Sequence, residues 1–191
     1  MGQPKLLMDL AGQTVLSRFL DAMSHPQLET RAIVIRKDDY ALLQHVGQFE
    51  NLLVVTPDVD PPDMRASVQA ALQEIRQRFA PKPNDYWVLS PADHPLLDNE
   101  ILKKLWKTCL EEQPFILVPT FQQKRGHPAF FRWSLMYEVF SLPADRGLNQ
   151  LIRDHAESVL EIPCQKPGIL FDLDTPEDFE RISRQFESTN Q

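Results

Sequence analysis

Short apolar runs alternate with segments of helical periodicity along almost the whole chain, and this alternation most restricts what it can fold into. The runs 31–36 (RAIVIR), 51–56 (NLLVVT), 85–90 (DYWVLS) and 114–121 (PFILVPTF) read as buried strands. Between them lie helical faces. Residues 14–23 carry Val15, Leu16, Phe19, Leu20 and Met23. Residues 66–79 carry Val68, Ala71, Leu72, Ile75 and Phe79, and residues 100–111 carry Ile101, Leu102, Leu105, Trp106 and Cys109. Residues 38–46, 133–140 and 146–155 read as further helices, and 127–131, 158–162 and 169–173 as further short strands. Thr14, Asp98 and Asp145 stand where N-caps belong. Thr175 caps a last helix that opens with Pro176, Glu177 and Asp178. Hydrophobic strands separated by helices predict an α/β fold, its mostly parallel sheet covered on both faces. With no repeat and no linker, residues 1–186 read as a single domain and 187–191 as a polar tail.

Composition narrows the function. A net charge of −7 over 191 residues, with no Lys/Arg cluster, argues against nucleic acid as a partner. It leaves nucleotides open, because a divalent metal offsets phosphate charge locally. Cys109 and Cys164 match no metal or redox spacing, and Cys109 reads as a core thiol. No apolar run reaches membrane-spanning length, and residues 1–10 lack the pattern of a signal peptide. The expectation is a cytoplasmic protein with no membrane partner.

In open α/β sheets, ligands bind beyond the carboxyl ends of the strands, here the loops after Thr56, Ser90, Thr120 and Leu173. Several groups of residues there and at the N-terminus suit phosphate chemistry. Gly2-Gln3-Pro4-Lys5 combines close backbone approach with a compact positive charge, or is a plain turn. Asp93, in a loop stiffened by Pro91 and Pro95, is placed to hold Mg2+ against a triphosphate, or caps a turn. Asp172 and Asp174 alternate with apolar residues, so a strand would point both carboxylates to one side. Lys124-Arg125-Gly126-His127 holds an anionic acceptor or is an exposed basic turn. Arg65-Ala66-Ser67 opens a helix whose free N–H groups suit an anion, with Ser67 otherwise a simple cap. His25, His45, His94 and His155 form no ligand spacing and are assigned to no metal.

The order of these elements is more informative than any one of them. Gly-x-Pro-Lys-Leu-Leu (2–7), Thr-Val-Leu (14–16), Arg-Ala-Ser-Val (65–68) and Asp-His-Pro-Leu-Leu (93–97) come first. Arg-Gly-His-Pro (125–128), Asp-Arg-Gly (145–147) and Asp-Leu-Asp-Thr-Pro-Glu-Asp (172–178) follow. From Gly2 to about Ile182 the series resembles the MobA-like NTP transferases, of the molybdenum-cofactor cytidylyltransferase type. The resemblance implies a three-layer Rossmann-like domain. It implies transfer of a nucleoside monophosphate from an NTP, CTP favoured, to a phosphorylated small acceptor such as molybdopterin cofactor, with Mg2+ as cofactor and pyrophosphate released. Lys5 and Asp93 would be catalytic. Gly2, Pro4, Lys5 and Ser67 would bind nucleotide, and Gly126 and His127 the acceptor. Asp93, with Asp172 or Asp174, would hold the metal. A sugar- or alditol-phosphate nucleotidyltransferase and a catalytically impaired accessory homologue are the alternatives.

Family members begin with a strand and a loop of the type Leu-Ala-Ala-Gly-x-Ser-x-Arg-Met-Gly-x-Pro-Lys, and Met1-Gly2 falls at the Met-Gly of that loop. An N-terminally truncated member, lacking the first strand, is the expectation. A start set too late, a rearranged sheet, or a relative without catalysis each accounts for it.

Overall fold

The computed structural model describes residues 4–189. Along the chain lie β1 (Asp9–Leu10), β2 (Gln13–Thr14), α1 (Val15–Ala22), β3 (Arg31–Val34), α2 (Tyr40–Val46), β4 (Leu52–Val55), α3 (Met64–Phe79) and β5 (Tyr86–Leu89). Then come α4 (Asn99–Glu112), β6 (Ile116–Phe121), β7 (Lys124–Arg125), β8 (Ala129–Arg132), α5 (Met136–Ser141), α6 (Asn149–Asp154), β9 (Val159–Pro163) and α7 (Pro176–Thr189). The alternation expected from the apolar runs is therefore present. Strands β3 and β4 pair in parallel, from Arg31 opposite Leu52 to Val34 opposite Val55. A five-stranded sheet has the order β5-β8-β6-β7, with β9 also on β6.

The chain forms two compact units. One contains Met1–His25, Val88–Phe130 and Leu160–Gln191; the other contains Pro26–Trp87 and Phe131–Val159. In the second, α3 buries Val68 and Leu72, and Trp87 stacks on Phe131 with ring centroids 4.3 Å apart. Arg65 donates to the carbonyls of Leu142 and Pro143, at 3.0 and 2.7 Å, and Gln69 to that of Val139 at 2.9 Å. Those bonds fasten α3 to the segment running from α5.

The first unit carries most of the chemistry-bearing loops. Its N-terminal hairpin pairs Asp9 with Thr14 and Leu10 with Gln13. Ala11 and Gly12, at φ 53° and 84°, make the tight turn, which needs left-handed residues. Arg18 reaches back from α1 to the carbonyls of Leu10 and Ala11. Thr14 caps α1, accepting from the Ser17 N–H at 3.0 Å. Behind the hairpin, Leu10, Val15, Leu173 and Ile182 form a buried cluster. Leu6, Met8, Leu96, Phe171, Phe179 and Phe186 pack against it. Helix α4 buries Ile101, Leu102, Leu105 and Cys109, so the thiol is a core group. Among the described residues no helix is long and apolar enough to cross a membrane.

Three local expectations are corrected. Residues 169–173 do not form a strand: Pro167–Leu170 is a 3-10 turn, and Phe171 follows in extended geometry. Pro167 fixes φ, and Gly168 lies hard against the Leu96 carbonyl, so the chain cannot run straight. Asp145 does not cap a helix. The Arg146 N–H instead closes a turn onto the Pro143 carbonyl at 2.9 Å, and α6 starts at Asn149 with no side-chain cap. Glycine at 147 disfavours an earlier start. Ser67 is not the cap of α3 either. Asp63 accepts from the Ala66 N–H at 2.7 Å, one turn ahead of Ser67. At α7 the expectation holds: Thr175 accepts from the Asp178 N–H at 3.1 Å and Asp178 from the Thr175 N–H at 3.0 Å, a reciprocal capping box.

Two glycines permit close backbone approach. A Cβ on Gly126 would overlap the Ile169 carbonyl, and one on Gly168 the Leu96 carbonyl, whereas one on Gly147 would meet open space. Gly168→Ala is expected to destabilise the protein by about 1–3 kcal/mol, as overpacking does. Gly147→Ala should change it by less than about 0.5 kcal/mol. Urea unfolding of the two variants side by side checks this; equal midpoints would show that the contact at Gly168 does not constrain the loop.

Candidate functional site

Strand β5 ends at Leu89 and releases the loop 90–97. Pro91 and Pro95 stiffen it, and the Leu97 N–H closes a turn onto the His94 carbonyl at 3.3 Å. The main chain of Asp93 is held from the far end of the sequence: the Leu173 N–H donates to its carbonyl at 3.0 Å. Two further bonds fix the neighbouring segment. The His127 N–H donates to the Ile169 carbonyl at 2.8 Å, and the Gly126 N–H to that of Pro119 at 2.9 Å.

Lys5 stands in a 3-10 turn that begins after Pro4, and the Leu7 N–H donates to the Pro4 carbonyl at 2.9 Å. Its Nζ lies 2.6 Å from Asp93 Oδ2 and 3.1 Å from Asp174 Oδ1. The Lys5 and Asp93 side chains are 36% and 18% exposed and that of Asp174 is 63% exposed, so the trio opens to solvent on the Asp174 side. The apolar cluster explains why distant residues meet: Leu6, Leu96 and Leu173 all join it, adjoining Lys5, the Asp93 loop and Asp174.

Burial, the largest single influence, pulls the Lys5 pKa down. The hydrogen bonds and charges of Asp93 and Asp174 together outweigh it and hold the pKa above the ordinary 10.5. The ammonium therefore stays charged across the physiological range.

Buried polar atoms concentrate in the same loop. Ser90 Oγ, Asp93 Oδ1 and His94 Nδ1 have no hydrogen-bond partner among the described residues. An unmade bond costs about 1–3 kcal/mol in a buried position. Three in five residues mark a loop shaped by something other than stability. His94 meets His127 edge to face, centroids 5.3 Å apart, and His127 Nδ1 lies 3.4 Å from the Leu89 carbonyl.

Among the described residues, no group of three or more His, Cys, Asp or Glu side chains is arranged to hold a metal ion. Two carboxylates converging on one cation are what the site offers.

The structure therefore brings together Lys5, Asp93 and Asp174 of the residues singled out from sequence. Asp172 is exposed on the same segment, and its charge acts on both histidines. Gly126 is packed against Ile169, and His127 lies beside His94. Pro4 is exposed at the start of its turn. Ser67 belongs to the other unit, where its hydroxyl donates to the Asp63 carbonyl at 3.2 Å. Lys124 and Arg125 form the return strand of a hairpin, with Arg125 Nε 2.7 Å from Glu161 Oε1. Gly2 lies outside the described residues. Ser90 and His94 were not singled out; a serine ending a strand is too common a signal. Gly168 was also missed, although Pro167-Gly168 is a turn dipeptide.

The sequence profile of the MobA-like NTP transferase domain matches residues 1–159. The chain belongs to the MobA-like NTP transferase family. A molybdenum cofactor guanylyltransferase of Rhodopseudomonas palustris (strain BisB5) is 30% identical over 190 residues, 96% of this chain and 86% of the relative. Rv0371c of Mycobacterium tuberculosis H37Rv superposes with a TM-score of 0.77 at 22% identity, over 96% of this chain and 91% of its own. The same protein in complex with manganese gives 0.72 at 21%, over 96% and 93%. These superpositions establish the Rossmann-like α/β fold that the strand–helix alternation implies. As a MobA-like NTP transferase, the chain is a nucleotidyltransferase.

Burial, with the neighbouring His127, holds the His94 pKa below 6.5 against the opposing charges of Asp93, Asp172 and Asp174. Burial likewise lowers that of His127, against the Leu89 carbonyl, Asp93 and Asp172. Below pH 6.5 the unfolded chain binds protons that the folded one refuses. The stability from these neutral imidazoles is thus complete above about pH 6.5 and is lost as pH falls through the lowered folded values. The melting temperature should drop between pH 7.5 and 5.5, and less so in His127→Gln. Parallel pH profiles of parent and variant would show that His127 is not a source of the dependence.

Proposed function

We propose that the chain moves a nucleoside monophosphate from an NTP to a small phosphorylated acceptor of the molybdopterin type. Lys5, Asp93 and Asp174 serve the reacting phosphates. The observation carrying this reading is the convergence of one ammonium and two carboxylates, at 2.6 and 3.1 Å, in a MobA-like chain. The R. palustris relative, a molybdenum cofactor guanylyltransferase matched over nearly the full length, supports the acceptor class. The motif series favours CTP as donor, and the relative's activity makes GTP the first competitor.

An acceptor oxygen attacks the α-phosphorus, the bond to the bridging oxygen breaks, and pyrophosphate leaves with the bonding electrons. Lys5 binds the triphosphate and offsets the charge it develops. Asp93, its main chain locked by Leu173, and Asp174, adjoining the capped start of α7, are the rigid acidic groups. Two carboxylates with phosphate oxygens suit a hard divalent cation, and Asp93 Oδ1 is a buried oxygen with no partner among the described residues, so the pair fits Mg2+ or Mn2+. The manganese complex of Rv0371c accords with that choice. When bound, the cation supplies charge neutralisation at the phosphates. Asp172 is the further acidic group of the metal side. Gly2, Pro4 and Ser67 are assigned to the nucleotide and Gly126 and His127 to the acceptor, following the family resemblance.

Pyrophosphate release from CTP, GTP, ATP and UTP, with Mg2+ or Mn2+ and a molybdopterin acceptor, tests the reading. One nucleotide should dominate, and Asp93→Asn should lower kcat by about 100- to 1000-fold. Silence with all four nucleotides, or full activity in Asp93→Asn, would end it.

A further inference from the structure

Lys5 faces two demands at once. Its ammonium lies 2.6 Å from Asp93 Oδ2 and 3.1 Å from Asp174 Oδ1, the same carboxylates that the proposed function assigns to a divalent cation. A hard cation sits about 2.0–2.2 Å from each ligand oxygen. Each carboxylate keeps a second oxygen, Asp93 Oδ1 being without a partner among the described residues, but a cation there would stand beside the ammonium, and the two positive charges would repel each other. The side chain is 36% exposed and rises from a short turn, so Lys5 has solvent to move into. A triphosphate would offer it denser negative charge than the two aspartates do.

We propose that Lys5 and a divalent cation are alternative occupants of the Asp93–Asp174 pair, and that nucleotide phosphate, by drawing off the ammonium, opens the pair to the metal. This rests on the proposed function and adds an order to it. The pair takes free metal weakly, and metal and nucleotide strengthen each other's binding reciprocally. Lys5 is then a positioning group before it is a phosphate ligand: it keeps two mutually repelling carboxylates together until substrate arrives.

Titration with Mn2+ alone, followed by its electron paramagnetic resonance signal, tests the exchange without turnover. Lys5→Met should bind free Mn2+ more tightly than the parent, by about 5- to 150-fold, the usual span of such couplings. Lys5→Arg, which keeps the charge, should stay near the parent. A Lys5 that merely supports the site would produce the opposite sign, weaker binding in Lys5→Met. In the unsubstituted protein, saturating Mn2+ should speed acetylation of Lys5 relative to Lys107. Binding to Lys5→Met that is no tighter, or Lys5 labelling that Mn2+ leaves unchanged or slows, overturns the proposal. Asp93→Asn in each background separates the two readings. Mn2+ binding lost with Asp93, yet no tighter in Lys5→Met, refutes the exchange alone; binding indifferent to Asp93 removes the metal site and the exchange with it.

Discussion

The bond from the Leu173 amide to the Asp93 carbonyl holds together what the strands alone would leave apart. Asp93 rides on a loop after β5 and Asp174 on an irregular segment before α7. Neither is inside a strand or a helix, and a loop left to itself samples many conformations. Leu173 itself belongs to the buried cluster with Leu10, Val15 and Ile182, and Leu6 and Leu96 pack against that cluster. Apolar burial on one side and a main-chain bond at the edge thus fix three polar side chains whose charges would otherwise favour solvent or, for the carboxylates, separation.

Electrostatics in this corner works by neighbourhood more than by depth. Burial lowers the pKa of both histidines, outweighing Asp93 and Asp172 at each and Asp174 as well at His94. Lys5 stays charged because two of those carboxylates outweigh its partial burial. The same acidic residues therefore act on bases in two environments with different results. Imidazoles held neutral and an ammonium held charged thus share the same acidic neighbours.

Elements with long-range periodicity were legible in the sequence, and those set by single contacts were not. The faces of α1 and α4 followed from apolar spacing, as did that of α3 apart from Phe79, which ends the helix exposed, and the Thr175 cap from its place before Pro176. Lys5, Asp93 and Asp174 could be singled out because motif order, not local strength, distinguished them. The strand expected at 169–173 failed because apolar alternation there reflects two tertiary contacts, Gly168 against Leu96 and Gly126 against Ile169, which periodicity does not encode. The aspartates at 172 and 174 accordingly do different things. Asp174 meets Lys5, while Asp172 is exposed and acts on the histidines. The glutamines at 122 and 123, at φ 49° and 65°, carry no turn signature, yet they bend β6 into β7. Ser67 resembles a cap because serine is a favoured N-cap residue; Asp63, four residues earlier, does that job.

Lys5 and Asp174 are separated by 169 positions in the chain. During synthesis the ammonium emerges well before its second carboxylate, which comes just ahead of α7. Until then Leu10 and Val15 also lack Leu173 and Ile182, so the hairpin end of the first unit has an uncovered apolar face. Contacts of such long sequence separation form late and slowly. Elongation through those positions therefore leaves this corner half assembled, and it closes only after Asp174 and Ile182 have emerged.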